Sequence, residues 1–546
     1  MKKTITNLRK TKYFFDNCWK DIILIFMMGV VINILINVIP SVNGNLINKI
    51  LSSSFKVTLI IALVGGFLQI LNTVLNLKSS KMFLNLKKNV TLNIKHKVLK
   101  KILNLNMSYF DKNTKGALLG KLNKDSKNIV SFLNNTKDSL LAAISNIITL
   151  VYILYLNYII GIYYIIANTI IVFIRYHFIK KSNVYLTKNI EIKDQNAAFM
   201  GEIIRGAKDV KVLKLKSNFE NKNVNNFTEE ETYEFKSNYY LEVGDKICHF
   251  LESVFYGLMI IISIFLIKAG LMEKSKFIII FMYKSTVFNF SNKLSSLIKY
   301  LSYFNISCDR IFSILETNSE EFGVKSLNNY KGNIEFKNIS FGYNDEILLK
   351  DISFKIKPNT FNIITGPNGT GKTTIFNLIT KMYTPNKGKI LLDNIDINTL
   401  SEESIRTNIS LVTQQPYVFN MSIKENLSII NEDFEKIKKV CELVGLKEKI
   451  ESLEDGYDTI VGTDGRLLSG GEKQRLAIAR VLLSDTKVIL FDEITNNIDQ
   501  YNKQIIIDLI NTLKKDYTII MITHDMDLTK NADHIYTIAN HKIKEV

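Results

Sequence analysis

Among 546 residues there are five prolines, one tryptophan and four cysteines. Cys18, Cys248, Cys308 and Cys441 are widely scattered. That spacing excludes a disulfide framework and a cysteine metal cluster, and it fits a reducing compartment. Charged residues make up only 22% and hydrophobic residues 47%, which excludes a mainly disordered chain. At ~150 residues per domain, three or four domains are allowed. The net charge of +18 first raises nucleic acid as a partner, but the charge is not evenly spread. Residues 1–330 hold 43 Lys+Arg against 22 Asp+Glu, whereas residues 331–546 hold 27 against 30. The basic part is also the part with long apolar runs.

A bilayer core of ~30 Å needs ~20 apolar residues per helix. Six segments approach this: Ile22 to Pro40, Val57 to Leu77, Leu140 to Leu156, Tyr158 to Phe178, Ile247 to Ile267, and a sixth from near Phe277. Lys284 interrupts the sixth. The first run is longer than the apolar region of a signal peptide and has no convincing cleavage site. Eighteen residues precede Trp19, so no extra N-terminal domain is expected. Residues 78–137 hold 14 Lys and two acids, Asp111 and Asp125, and residues 179–246 are again long and charged. The other connections, Asn43 to Lys56, Asn157, and Lys268 to Lys276, are short. Lys/Arg excess marks the cytoplasmic side, which places both termini and both long loops inside. The long loops contain no proline and read as helical extensions, with an apolar stripe at Leu86, Val90, Ile94 and Val98. Tyr109 to Asp125 reads as a turn and a short helix, and Glu202 to Lys211, around Gly206, as its counterpart.

After a polar linker, alternation returns at Ile334–Lys337, Ile352–Ile356 and Phe361–Ile364, which reads as strands. The last runs into Gly366-Pro367-Asn368-Gly369-Thr370-Gly371-Lys372-Thr373-Thr374, a phosphate loop. Its glycines let backbone N–H groups turn toward phosphate oxygens. Lys372 supplies a charge for the phosphates and Thr373 a hydroxyl for Mg²⁺. A helix with apolar Ile375, Phe376, Leu378 and Ile379 follows, its N-terminus facing the anion. A second strand, Val488–Phe491, ends in Asp492-Glu493. Beside a phosphate loop, Asp492 suits Mg²⁺ and Glu493 suits activation of a water. His524 follows a third strand, Tyr517–Ile522. Between them, Leu468-Ser469-Gly470-Gly471-Glu472 opens a helix, a second anion-binding helix end in the same chain.

The stretch Leu468–Glu472, with the phosphate loop, Asp492-Glu493 and His524 in this order, resembles the signature of ATP-binding cassette (ABC) proteins. Membrane part first and cassette second is similar to an exporter half-transporter, and Tyr109-Phe110-Asp111, Gly116 and Asp125 resemble its intracellular-loop pattern. The resemblance implies a six-span α-helical transmembrane domain over 1–318, a linker over 319–333 and an α/β P-loop cassette over 334–546. It implies ATP and Mg²⁺ as cofactors and a second half-transporter as partner, forming a homodimer or a heterodimer in a cell membrane, and the abundance of Lys, Asn and Ile suggests an AT-rich bacterial genome. Tyr343 would stack on adenine, and Gln414 would sense Mg²⁺ and face the membrane domain. Ser469, Gly470 and Gly471 would contact the γ-phosphate held by the opposite subunit. Glu493 would be the general base, His524 would hold the γ-phosphate, and Asp499 would lie at the dimer seam. Asn496-Asn497-Ile498 before Asp499, and Thr463-Asp464 ahead of the signature, depart from the family pattern and bear on coupling to the membrane part.

Lys284 lies about eight residues, ~12 Å, into the sixth span. An intramembrane charge is costly and is usually paired or functional. Lys284 is expected to snorkel or pair with Glu252, or else to line a cavity and favour anionic cargo; His249 is a lesser candidate. Asn33, Asn37, Gln69, Asn72 and Asn76 either line the path or bond between helices. The expected function is ATP-driven export of peptides or amphipathic drug-like molecules. A lipid flippase, an ATP-gated channel and a soluble cassette acting on nucleic acid are the competing readings. Six apolar segments oppose the last, so lipid and cargo are expected as partners and nucleic acid is not.

Overall fold

The computed structural model describes residues 2–16, 18–52, 55–112, 118, 120–343, 346–495 and 500–546. Gly116, Asn496-Asn497-Ile498 and Asp499 lie outside these. The chain forms two compact units, one of Met1–Leu105 and Tyr109–Asn318 and the other of Ser319–Val546 with the short segment Asn106–Ser108.

The first unit is helical. Span one is Trp19–Ser52, span two Phe55–Leu103, span three Ser126–Leu156, span four Tyr158–Arg205 and span five Lys216–Lys268. Among the described residues, five helices are long and apolar enough to cross a membrane. Span five has 53 residues, ~80 Å at ~1.5 Å per residue, more than twice a ~30 Å hydrocarbon core. Its polar half must therefore stand in water. The same holds for spans two and four, whose ends are the helical extensions expected of the long loops. The stripe Leu86, Val90, Ile94 and Val98 is buried against Ile129, Phe304 and Ile311. Asn157 separates spans three and four by turning extended, and its side chain accepts from the Ile160 N–H.

Two expectations are corrected. Span one does not stop at Pro40 but continues through it to Ser52; proline is tolerated in membrane helices because neighbours satisfy the freed carbonyl. Span six is not one helix. It runs Lys274–Met282, Lys284–Val287 and Asn289–Leu315, broken at Tyr283 and Phe288. Neither break has a glycine or proline. Asn146 and Asn168 instead donate to the Val287 carbonyl, Asn168 at 2.9 Å, so two side chains replace the missing helical partner.

The second unit is a cassette of two sheets. One is antiparallel, in order β2 (Glu346–Ile356), β1 (Ile334–Tyr343), β4 (Lys387–Leu392), β5 (Ile395–Asp396). The other runs β10 (Lys542–Glu545), β9 (His534–Ala539), β3 (Phe361–Thr365), β8 (Thr518–Ile522), β7 (Val488–Asp492), β6 (Ile409–Val412). From β9 to β6 the neighbours are parallel. All residues of β7 and β8 are buried, as parallel strands covered on both faces require. One apolar core, with Ile489, Phe491 and Leu476, lies on one face and another, with Ile364, Phe376 and Leu490, on the other. The strands β9 and β10 go beyond the sequence reading, which stopped at Ile522.

Candidate nucleotide site and membrane-embedded polar cluster

Because β3, β8, β7 and β6 are parallel neighbours, their carboxyl ends open on one edge. The register pairs Ile364 with Ile522 and Ile522 with Asp492, so the ends are level. Ligands of open α/β sheets bind at that edge. The segments that follow these four strands supply, in strand order, Lys372, His524, Glu493 and Gln414.

The contacts follow the same order. Lys372 is buried, and its Nζ donates to the Gly366 carbonyl at 2.7 Å and the Pro367 carbonyl at 3.1 Å. It lies 3.1 Å from His524 Nε2. As the ammonium is donor only, Nε2 accepts and the ring proton sits on Nδ1. His524 Nε2 is 4.0 Å from Glu493 Oε1, and Gln414 Nε2 donates to Glu493 Oε2 at 3.0 Å. Burial lowers the Lys372 pKa, against the opposing pull of Glu493 and Asp492. Burial raises that of Asp492, and the adjacent Glu493 adds to the rise, while Thr373 and Lys372 oppose it.

The loop's glycines explain its curl. Gly366, Gly369 and Gly371 all have positive φ, and a Cβ on Gly366 would meet the Ile538 carbonyl. Glu493, a non-glycine residue, also sits at φ 49°. Such backbone is costly and persists where the surroundings fix it; here the Glu493 N–H donates to the Ile522 carbonyl at 3.0 Å.

Thr373 Oγ1 lies 3.4 Å from Asp492 Oδ1. Thr373, Asp492 and Gln414 together present hard oxygens, a donor set that fits Mg²⁺. Tyr343 ends β1; its hydroxyl is 3.3 Å from Thr374 Oγ1 and accepts from Asn377 Nδ2 at 3.3 Å. Tyr383 stands edge-on to its ring at 5.1 Å. Asn368, Gly369, Ser469 and Gly470 are exposed and Gly471 is buried.

Ser469 caps the helix Gly470–Leu483, accepting from the Glu472 N–H at 3.3 Å, while Glu472 accepts from the Ser469 N–H at 2.7 Å. Lys449 pairs with Glu472 at 3.7 Å. Among the described residues, no hydrogen bond or ion pair joins Ser469, Gly470 or Gly471 to the phosphate loop. The four-strand edge is thus assembled within one chain, and among the described residues the Ser469 helix end has no bond to its phosphate loop.

In the membrane part, Lys284 does not pair with Glu252. Its ammonium lies over the Tyr256 ring, 4.3 Å from the centroid. Glu252 is held by Arg175 of span four at 3.7 Å and by His249 Nδ1 at 3.0 Å. Arg175, buried, also meets Asp245 at 2.5 Å and Asn292 at 2.8 Å. It was not singled out from sequence, although an arginine inside the fourth apolar run was the available signal. Asn37 bonds between helices, donating to Ser145 at 2.8 Å and accepting from Thr149 at 2.5 Å. Asn33 donates to its own helix at Gly29 at 2.9 Å. Asn76 donates to Asn72 within span two, and Gln69 is exposed.

Comparison with known proteins gives two family matches. The ABC transporter transmembrane region matches residues 22–291, and the ABC transporter domain matches residues 349–496. The chain is 30% identical over 479 residues to the ATP-dependent lipid A-core flippase of Haemophilus influenzae, covering 84% of this chain and 79% of that one. It is 30% identical over 480 residues to the protein of the same description from Pasteurella multocida, covering 84% and 80%. The solved structure of a bacterial Atm1-family ABC exporter with ATP bound superposes with a TM-score of 0.80 at 21% identity, covering 96% of this chain and 93% of that one.

Proposed function

The chain belongs to the ABC transporter family, as an exporter-type half-transporter whose ATPase drives transport across a membrane, and we propose that two copies of it move a lipid-like amphiphile. The observation that carries the nucleotide chemistry is the row Lys372, His524, Glu493, Gln414 along one sheet edge. We assign Lys372 and the loop N–H groups to the phosphates. Glu493 takes a proton from the attacking water as its oxygen bonds the γ-phosphorus and the bond to the leaving ADP breaks, and Gln414, which donates to the Glu493 carboxylate, orients it. His524 holds the γ-phosphate and Tyr343 the base. Thr373, Asp492 and Gln414 would hold Mg²⁺, which supplies charge neutralisation for the phosphates when bound.

A dimer is favoured because Ser469, Gly470 and Gly471 have no described bond to the phosphate loop of their own chain. A second copy would bring this helix end to the open side of the nucleotide, together with Asp499. The Lys-rich helical extensions favour a cytoplasmic cassette and cytoplasmic termini. Among cargoes, a lipid is favoured over a peptide or drug-like molecule because the similar curated proteins are described as lipid A-core flippases. The test is reconstitution in liposomes with fluorescent lipids. ATP should drive their movement between leaflets, and Glu493→Gln should stop it; movement that persists in Glu493→Gln refutes the scheme.

A further inference from the structure

Span five has three faces. At 3.6 residues per turn, His249, Ser253 and Tyr256 of the apolar run fall on one side, in line with Glu242 and Lys246 of the polar half that stands in water. Phe250, Val254 and Ile261 fall on a second side, and Gly244, Cys248 and Met259 on a third. The third is buried. The second is apolar and exposed, as a surface toward lipid tails should be. The first carries His249 and Ser253, both exposed, inside the apolar run. Charged and polar side chains on a membrane helix face the bundle interior or a water-filled cavity, because hydrocarbon offers them no partner. The polar face is therefore the wet side of span five.

Lys284 reaches that side from the middle piece of span six, is exposed, and rests on Tyr256. The ring approaches one side of the ammonium and leaves donors for a ligand. The carboxylate that would neutralise it, Glu252, is one turn from Tyr256 but held by Arg175 and His249. Among the described residues, no carboxylate forms an ion pair with Lys284. Arg175 thus keeps a positive charge available on a wet face inside the membrane part.

We propose that Lys284 on Tyr256 is a headgroup subsite for an amphiphile bearing a phosphate or carboxylate. The inference rests on the amphiphile reading above and adds the sign of the cargo's charge. The test uses the purified full chain in phosphatidylcholine nanodiscs with radiolabelled dodecyl phosphate, laurate and dodecyltrimethylammonium. Lys284→Gln should weaken binding of the anions about tenfold, roughly the loss of one charge-assisted hydrogen bond, and Lys284→Arg should restore it. Lys284→Glu should turn the preference to the trimethylammonium probe. Weakening of both anions assigns the subsite to negative charge in general; weakening of one assigns it to that headgroup. In the wild type, saturating dodecyl phosphate should protect Lys284 from acetylation, read by peptide mass, so recovery of the variants is not essential. Anion binding that ignores residue 284, or no protection, overturns the subsite. ATP hydrolysis measured on the same samples separates the two readings: turnover that survives Glu493→Gln sinks the pump scheme whatever the probes do.

Discussion

Arg175→Ala removes a guanidinium whose side chain is only 3% exposed and which meets Asp245, Glu252 and Asn292 from spans five and six. Breaking a buried ion pair by deleting one partner costs about 3–5 kcal/mol, because the other charge is stranded. The two acids do not contribute equally. Asp245 is 44% exposed and can be rehydrated, so its share is small, whereas Glu252 is 15% exposed and cannot. His249 remains on Glu252 at 3.0 Å and recovers part of the loss. The net destabilisation should therefore be about 2–4 kcal/mol. Adding Glu252→Gln neutralises the stranded charge, so the double variant should recover about 1–2 kcal/mol relative to additivity. Adding Asp245→Asn should recover less than half as much. The assay is reversible unfolding of the purified chain in mixed micelles, with all variants in one double-mutant cycle. Equal recovery by the two neutralising changes, or coupling below ~0.5 kcal/mol for both, would refute the assignment of Arg175 as counter-ion to a buried carboxylate.

The other expectations concern named contacts. Glu493→Gln keeps an acceptor for Gln414 but loses the base, so phosphate release should fall about 10²–10⁴-fold, while a fluorescent nucleotide still binds; equal loss of both would contradict the role. Asp492→Asn should abolish turnover yet stabilise the ligand-free protein at neutral pH by roughly 0.5–2 kcal/mol, a usual gain when a functional site is relieved. Burial raises the Asp492 pKa above its unfolded value, so its protonated form favours folding and that stability is lost as pH rises through the folded pKa. The advantage of Asp492→Asn in thermal unfolding should accordingly shrink as pH falls through the raised folded pKa, and be gone once pH is below the ordinary carboxylate range. Asn168→Leu removes one of two donors to the Val287 carbonyl and should cost about 0.6–1.7 kcal/mol in the same micelle assay. Asn146→Leu with Asn168→Leu should cost more than the two singles summed, because only the pair leaves the carbonyl bare.

The phosphate loop was legible because its parts are consecutive: strand, glycine turn, lysine and helix follow one another in the chain. Asp492, Glu493 and His524 were legible because each follows an apolar strand, and parallel strands put such positions at one edge. The direct contact of Gln414 with Glu493 could not be read, since it depends on β6 lying next to β7. The breaks in span six were hidden for a different reason. Tyr283 and Phe288 are not helix breakers; the partners that satisfy the Val287 carbonyl beside the second break, Asn146 and Asn168, belong to other helices. Pro40 misled in the opposite direction, since neighbours in a membrane bundle can satisfy what proline leaves open. Lys284 and Glu252 were both singled out, but their pairing was misjudged because Arg175, absent from that reading, holds the acid.

The two polar systems of this chain share a physical design. In each, a lysine is held by neutral groups and not by an acid of its own. Lys372 spends its donors on two loop carbonyls and on His524, and Lys284 rests on a tyrosine ring. Nearby acids are engaged elsewhere: Glu493 accepts from Gln414 and Glu252 is held by Arg175 and His249. A neutral acceptor is a weaker partner for an ammonium than an anion is. An arriving phosphate can therefore displace the carbonyls or His524 without first breaking a salt bridge. At the sheet edge the consequence continues, because the ring that gives up Lys372 is the one standing 4.0 Å from Glu493. The order of strands β3, β8, β7 and β6 thus sets the order of contacts along the edge, from lysine to histidine to glutamate to glutamine.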